Sequence, residues 1–230
     1  MKNKQGNMYK FVETWNPLAG ECSHKCIYCS SKSFMRYPFF KIKYSGKPRL
    51  DKAIDTNLSN KKYNGKTIFV VAQSDLFASD VQFEDIDDIL YRCRMYPDNI
   101  YFFQTKNPER LVTFQEMGNK FPVNSIFCTT IETNRDYKLS EAPTVFERAE
   151  WFSKVKGIKH LTIEPICDFD TPELLQMIID CKPDQVNIGA DSKGHNLPEP
   201  SKDKILELID CIAISDIKVH QKENLKRLLK

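Results

Sequence analysis

Short apolar runs alternate along this chain with longer stretches in which apolar residues recur every three or four positions. Runs rich in β-branched and aromatic side chains occupy residues 67–72, 99–103, 125–130, 160–163, 185–188 and 217–219, and each reads as a buried strand. Helical spacing marks residues 83–96, 108–117, 145–155, 172–181, 202–214 and 221–229. Asn107-Pro108-Glu109, Thr171-Pro172-Glu173 and Glu199-Pro200-Ser201 supply helix starts, because a capping side chain or an early proline suits the unpaired amides of a first turn. With residues 10–14 as a first strand, seven strands each precede a crossover long enough for a right-handed βαβ unit. Their near-continuous apolar character predicts a parallel sheet with helices over its outer face. A complete eight-unit barrel takes about 250 residues. At 230 residues the economical reading is one α/β domain over residues 1–230, a partial (β/α)6-type TIM barrel of six or seven units. An open doubly wound sheet is the alternative.

In such folds chemistry gathers where strands end. The strand ends here deliver Gln73-Ser74-Asp75, Gln104-Thr105-Lys106, Thr130-Ile131-Glu132, Glu164, Asn187 with Asp191, and His220. Six aligned polar ends predict one shared site. The proportions, 41% hydrophobic and 28% charged with a net charge of +3, are those of a globular protein and exclude general disorder. No apolar run approaches the roughly 20 residues of a membrane span. The segment Met1-Lys2-Asn3-Lys4-Gln5-Gly6 lacks a signal peptide's apolar region, so a soluble, cytoplasmic protein without membrane partners is expected.

Five of the eight cysteines (Cys93, Cys128, Cys167, Cys181 and Cys211) sit singly in apolar segments and read as small buried hydrophobes. Cys22, Cys26 and Cys29 differ, since they fall within one loop-like stretch after Trp15-Asn16-Pro17. Clustering of that kind in a reducing compartment points to metal. Three thiolates suit zinc or an iron–sulfur cluster. Structural zinc wants four protein ligands, and no second Cys-x-x-Cys or His-x-x-x-His is present; His24 lies awkwardly between two of the cysteines on the same loop. A cubane held by three cysteines leaves one iron open to a small molecule.

The string Cys-x-x-x-Cys-x-Tyr-Cys, with Tyr28 in the aromatic place, resembles the signature loop of the radical S-adenosylmethionine (SAM) enzymes. Thr14-Trp15-Asn16-Pro17, Ser74-Asp75-Leu76-Phe77, Gln104 through Arg110 and Ile163-Glu164-Pro165 extend the likeness to phage and microbial radical SAM proteins that mostly lack an assigned reaction. The resemblance implies that Cys22, Cys26 and Cys29 hold a [4Fe-4S] cluster whose open iron is chelated by SAM. One electron then cleaves the sulfonium and yields a 5′-deoxyadenosyl radical that abstracts hydrogen from a substrate. It also implies a one-electron donor, flavodoxin- or ferredoxin-like, or an artificial reductant. Many relatives carry Gly-Gly-Glu after the second strand; here that place is Gln73-Ser74-Asp75.

A bound ammonium and sulfonium favour nearby carboxylates, and a bound carboxylate favours Arg or Lys. Asp75 and Glu132 are candidates for the first role and Arg135 for the second. Tyr28 is placed against adenine, with Gln73, Ser74, Glu164, Asn187 and Gly189 as further cofactor contacts. The loop Gly189-Ala190-Asp191-Ser192-Lys193-Gly194 lacks a phosphate loop's Gly-Lys-Ser/Thr ending. Lys106, Lys193, His195 and His220 are candidate substrate contacts.

Residues 32–66 carry ten lysines and arginines against two aspartates, interleaved with Phe34, Tyr37, Phe39, Phe40, Tyr44 and Tyr63. Such a basic and aromatic insertion suits an anionic, base-bearing ligand. A radical enzyme acting on a nucleotide, nucleobase or nucleic acid is therefore the leading expectation. An activase or modifying enzyme with a protein or peptide partner, and a metal-stabilised binding module, are the alternatives.

Overall fold

A computed structural model of the chain describes residues 12–51, 64–118 and 120–230. Seven parallel strands form one sheet: β1 (Val12–Trp15), β4 (Thr67–Val70), β5 (Ile100–Thr105), β6 (Ser125–Thr130), β7 (Ile158–Ile163), β8 (Gln185–Ile188) and β9 (Lys218–Gln221). A two-stranded antiparallel ladder, β2 (Leu18–Ala19) with β3 (Arg49–Leu50), lies between the first two in sequence. The helices are α1 (Pro38–Lys43), α2 (Phe83–Arg94), α3 (Pro108–Glu116), α4 (Val145–Ser153), α5 (Thr171–Cys181) and α6 (Lys202–Ile214).

Strand order in the main sheet follows chain order from β1 to β9 with no reversal. Successive right-handed crossovers then fall on one face, so α3, α4, α5 and α6 pack side by side. A doubly wound sheet needs a reversal of strand order, and that alternative is excluded. The sheet is open, since β1 and β9 do not pair, and the architecture is that of a partial TIM-type barrel.

Period-two alternation sorts the strand side chains. Ile68, Val70, Tyr101, Phe103, Phe127, Leu161, Ile163, Val186 and Ile188 join the core beneath the helices. They meet Ile86, Ile89 and Leu90 of α2, Leu111 of α3, Phe152 of α4, Leu174 and Ile178 of α5, and Ile205, Leu208 and Ile212 of α6, all at helical spacing. The opposite face carries Phe69, Phe102, Gln104, Cys128, Thr130, His160, Thr162, Gln185 and Asn187. The inner strands β5–β8 are largely buried on both faces as expected, the edge strands β1 and β9 are partly exposed, and the concave face is half polar. α4 starts on a complete capping box, Thr144 with Glu147.

Helix α6 and strands β6 and β8 have the expected bounds. The helix expected over residues 221–229 is absent: Gln221 pairs with Ile188 at the end of β9, and a 3-10 turn covers Glu223–Arg227. Phe11 and Lys10 of the expected first strand, and residues 52–63 of the basic insertion, lie outside the described residues. No helix among the described residues is long and apolar enough to cross a membrane.

Candidate active site

A cavity of about 860 Å³ opens on the concave face at the C-terminal ends of the strands. Its size suits a nucleotide-sized ligand with room for a second molecule. Cys22, Cys26 and Cys29 line it, together with Tyr28, Gln73, Ser74, Asp75, Lys106, Glu164, Lys193 and His195. Eleven of the sixteen residues singled out in the sequence thus meet in one place. All three thiols are free.

The cysteine loop is fastened on several sides. Lys25 adopts a left-handed conformation (φ 45°), which curls the chain between Cys22 and Cys26. Ile27 N–H donates to Leu139 O (2.9 Å) and Glu141 N–H to His24 O (2.8 Å). His24 Nε2 lies 2.8 Å from Asp75 Oδ2, both side chains buried. Asp75 also accepts from Thr105 Oγ1 (3.1 Å), Lys106 N–H (2.7 Å) and Phe77 N–H (2.9 Å). Burial raises its pKa, but His24 and these donors outweigh burial and hold the carboxyl below its usual range. Both oxygens are committed to the protein, so the geometry makes Asp75 the tie between the cysteine loop and the strand ends.

The turn bearing Gln73 and Ser74 leaves β4 through Val71 at φ 57°, a conformation rare for a β-branched residue. Its amide reaches Trp15 O (2.8 Å), which swings Gln73 into the cavity. Ser31 Oγ then donates to Gln73 O and Oε1 (3.1 and 3.0 Å).

Beneath the loop lies a buried charge cluster. Tyr28 OH donates to Glu132 Oε1, Lys106 Nζ donates to the same oxygen (3.0 Å), and Arg148 Nη2 lies 3.0 Å from Oε2. Lys106 Nζ also sits 5.2 Å from the centre of the Tyr28 ring. Burial pushes the Glu132 pKa up, yet Lys106 and then Arg148 reverse that and bring it down to about 2. Burial and the neighbouring Asp75 carry Cys22 up to about 12. Burial likewise raises Cys26, with Lys106 pulling the other way. Metal loading there therefore displaces protons from thiols.

Across the cavity Lys222 Nζ contacts both oxygens of Glu164 at 2.6 Å, and Asn224 Nδ2 donates to Glu164 Oε1 (3.0 Å). Gly189 backs this group, since a Cβ there would lie 2.9 Å from the Glu164 carboxyl. His195 Nδ1 lies 2.6 Å from Asp191 Oδ1, and Lys193 Nζ reaches Ser30 O (3.1 Å) on the far rim.

Five of the singled-out residues are not in the lining. Glu132 is fully buried below it. Arg135, expected to meet a cofactor carboxylate, is turned away: its guanidinium pairs with Asp168 and Asp170 at the start of α5. Asn187 is buried within the sheet, accepting from Gln185 Nε2 (2.7 Å). Gly189 meets Glu164 as described, and His220 lies half-buried on β9. Sequence reasoning missed Lys222, Arg148 and His24's link to Asp75. Lys222 follows directly on β9, and its place after a strand end was the available signal; Arg148 sits mid-helix and gave none.

The donor set fits a thiolate-held cluster. Three cysteines share one wall, while Cys93, Cys128, Cys167 and Cys181 are buried elsewhere. Among the described residues no three His, Cys, Asp or Glu side chains converge on a point that would hold one metal ion. A cluster does not ask for that, because each sulfur takes a different iron.

No curated protein matches the chain. Among solved structures, Streptococcus suis SuiB bound to S-adenosylmethionine superposes with a TM-score of 0.54 at 12% identity, over 93% of this chain and 50% of SuiB. SuiB bound to the precursor peptide SuiA gives 0.56 at 12%, over 94% of this chain and 49% of that one. A spore photoproduct lyase variant with bound AdoMet and dinucleoside spore photoproduct gives 0.60 at 12%, over 90% and 74%. The fold is shared with these proteins, and the chain spans about half the length of SuiB. Residues 8–217 match the model described as "Protein of unknown function (DUF5131)", a span that takes in the cysteine loop and all of the sheet but β9, and the chain belongs to that family.

Proposed function

We propose that this chain is a radical SAM enzyme of the phage and microbial group whose strings it resembles. Cys22, Cys26 and Cys29 would hold a [4Fe-4S] cluster, with SAM in the cavity beside them. When bound, the pair supplies one-electron cleavage of the sulfonium and hence hydrogen-atom abstraction from a substrate. The observation that carries this reading is that all three cysteines of the motif line one cavity at the strand ends. The fold's occurrence in proteins solved with S-adenosylmethionine supports it.

The chain's own residues have separable tasks. Asp75 and His24 fix the cysteine loop, Tyr28 and Lys106 form the wall beside Cys26, and Gln73 and Ser74 offer amide and hydroxyl groups to a bound amino-acid moiety. Glu164 with Lys222, and Asp191 with His195, present polar edges toward a substrate. For that substrate we favour a nucleotide, nucleobase or nucleic acid over a peptide, because of the basic and aromatic segment next to the cavity. SuiB's bound precursor peptide supports the peptide alternative.

Anaerobic reconstitution should give about four irons per chain and, with a low-potential reductant, methionine and 5′-deoxyadenosine from SAM. Cys26→Ala should lose iron and cleavage together. Cleavage that survives in that variant would overturn the assignment.

A further inference from the structure

The 3-10 turn Ser30–Phe34 and helix α1 follow directly on the last cysteine of the motif. Their sequence, from Ser30 to Leu50, holds Lys32, Arg36, Lys41, Lys43, Lys47 and Arg49 and no acidic residue. Lys43 is engaged by Asp51; Lys32, Arg36, Lys41, Lys47 and Arg49 are exposed. The apolar side chains here face water as well: Phe39 is 70% exposed, Ile42 72% and Tyr37 47%. The helix is six residues long and buries none of them.

The rings form a supported row. Phe34 stacks on Phe40 (5.3 Å between centres) and Phe40 on Tyr44 (5.8 Å), with Phe39 edge-on to Phe40. Tyr44 is buried, which anchors the row to the body. At the other end Phe34 lines the cavity, with Lys193 Nζ 5.7 Å from its ring. The guanidinium of Arg36 lies 4.9 Å over Tyr37. The exposed rings Phe39 and Tyr37 therefore sit beside the cavity mouth among exposed cations, on a stacked row whose far end, Tyr44, is buried near the Lys43–Asp51 pair.

We propose that this face docks a single-stranded nucleic acid and leads one nucleotide into the cavity, an inference that rests on the function proposed above and names the surface its substrate uses. Exposed rings are platforms for unstacked bases, and the flanking cations answer the phosphates. A duplex keeps its base faces covered and would leave Phe39 and Tyr37 without partners. An acidic protein would also answer the cations, and the test separates it.

The test measures binding of a labelled single-stranded oligonucleotide, DNA in one series and RNA in another, to the reconstituted protein, with the duplex and poly-glutamate as comparators. Single strands should bind more tightly than duplex, and the affinity should fall as salt rises. Phe39→Ala should weaken binding by on the order of tenfold, the scale of one lost base–aromatic stack. Lys32→Gln with Arg36→Gln and Lys41→Gln should weaken it further and flatten the salt dependence. Both sets of substitutions are on exposed side chains, and circular dichroism checks the fold. Equal binding by Phe39→Ala and the parent, preference for duplex, or binding of poly-glutamate with none of oligonucleotides would each overturn the proposal. Iron content and SAM cleavage of the parent are read on the same preparation. Their loss strikes at the reading of the site, whereas lost oligonucleotide binding with both intact strikes only at this surface.

Discussion

The most consequential single residue outside the cysteine loop is Glu132, a fully buried carboxylate shared by Tyr28, Lys106 and Arg148. Its removal leaves the buried Arg148, and Lys106 at the cavity wall, without their carboxylate partner. Glu132→Ala should cost about 3–5 kcal/mol in denaturant unfolding, the usual toll of breaking a buried ion pair from one side. Tyr28→Phe removes one donor while Lys106 and Arg148 remain, so about 1 kcal/mol is expected; equal losses in the two variants would contradict the charge argument. His160 sets a pH dependence. Burial depresses its pKa from 6.5 to about 4, more than nearby Asp184 raises it. The unfolded chain therefore binds the proton first as pH falls. Stability from this ring is fully present above pH 6.5 and is lost between there and about 4, on the order of 1–3 kcal/mol. Urea midpoints at pH 7 and pH 5 should differ less in His160→Gln than in the parent; an unchanged difference would assign the effect to other groups.

Among the elements, the short ladder β2–β3 matters more than its length suggests. It brings Gly20, two residues before Cys22, against the backbone of Lys47 and Pro48: a Cβ at Gly20 would lie 2.4 Å from Lys47 O, and φ is 98°. Gly20→Ala must push the ladder apart, because backbone cannot yield as a side-chain tip can. Lower iron retention after reconstitution, with a lower melting temperature, is the expected result, and full retention would show the ladder to be irrelevant to the loop. Sequence pattern could not reveal this ladder, since two-residue strands carry no periodicity. By contrast α6 and β6 were legible to the residue, having a capping Ser201 and a compact run of β-branched and aromatic residues, respectively. The last segment misled: Leu225, Leu228 and Leu229 repeat at helical spacing, but the sheet edge claims Gln221 and carries on through Lys222 N–H to Ile188 O.

For the whole molecule, the monotonic strand order sends the helices to one side and every strand end to another, and this brings five of the six scattered polar strings into one cavity, with His220 on β9 outside its lining. The cysteine triplet and most of the polar strand ends could be read from the sequence because loop position and strand ends are local properties. Arg135 could not: its carboxylate partners, Asp168 and Asp170, lie more than thirty residues away, and only the tertiary fold shows that they turn it from the cavity. The same holds for Asp75, whose carboxylate ties down His24 across fifty-one positions. The polar inner face was hidden as well, since Phe102 and Cys128 sit among Gln104, Thr130 and Thr162 and make the strands look uniformly apolar. The account depends on a metal corner left open by three sulfurs, and Mössbauer spectroscopy of iron-57-reconstituted protein tests that most directly. Addition of SAM should shift one iron of the cluster away from the other three. Spectra that do not respond to SAM, or a protein that takes up a single zinc in place of iron, would contradict it.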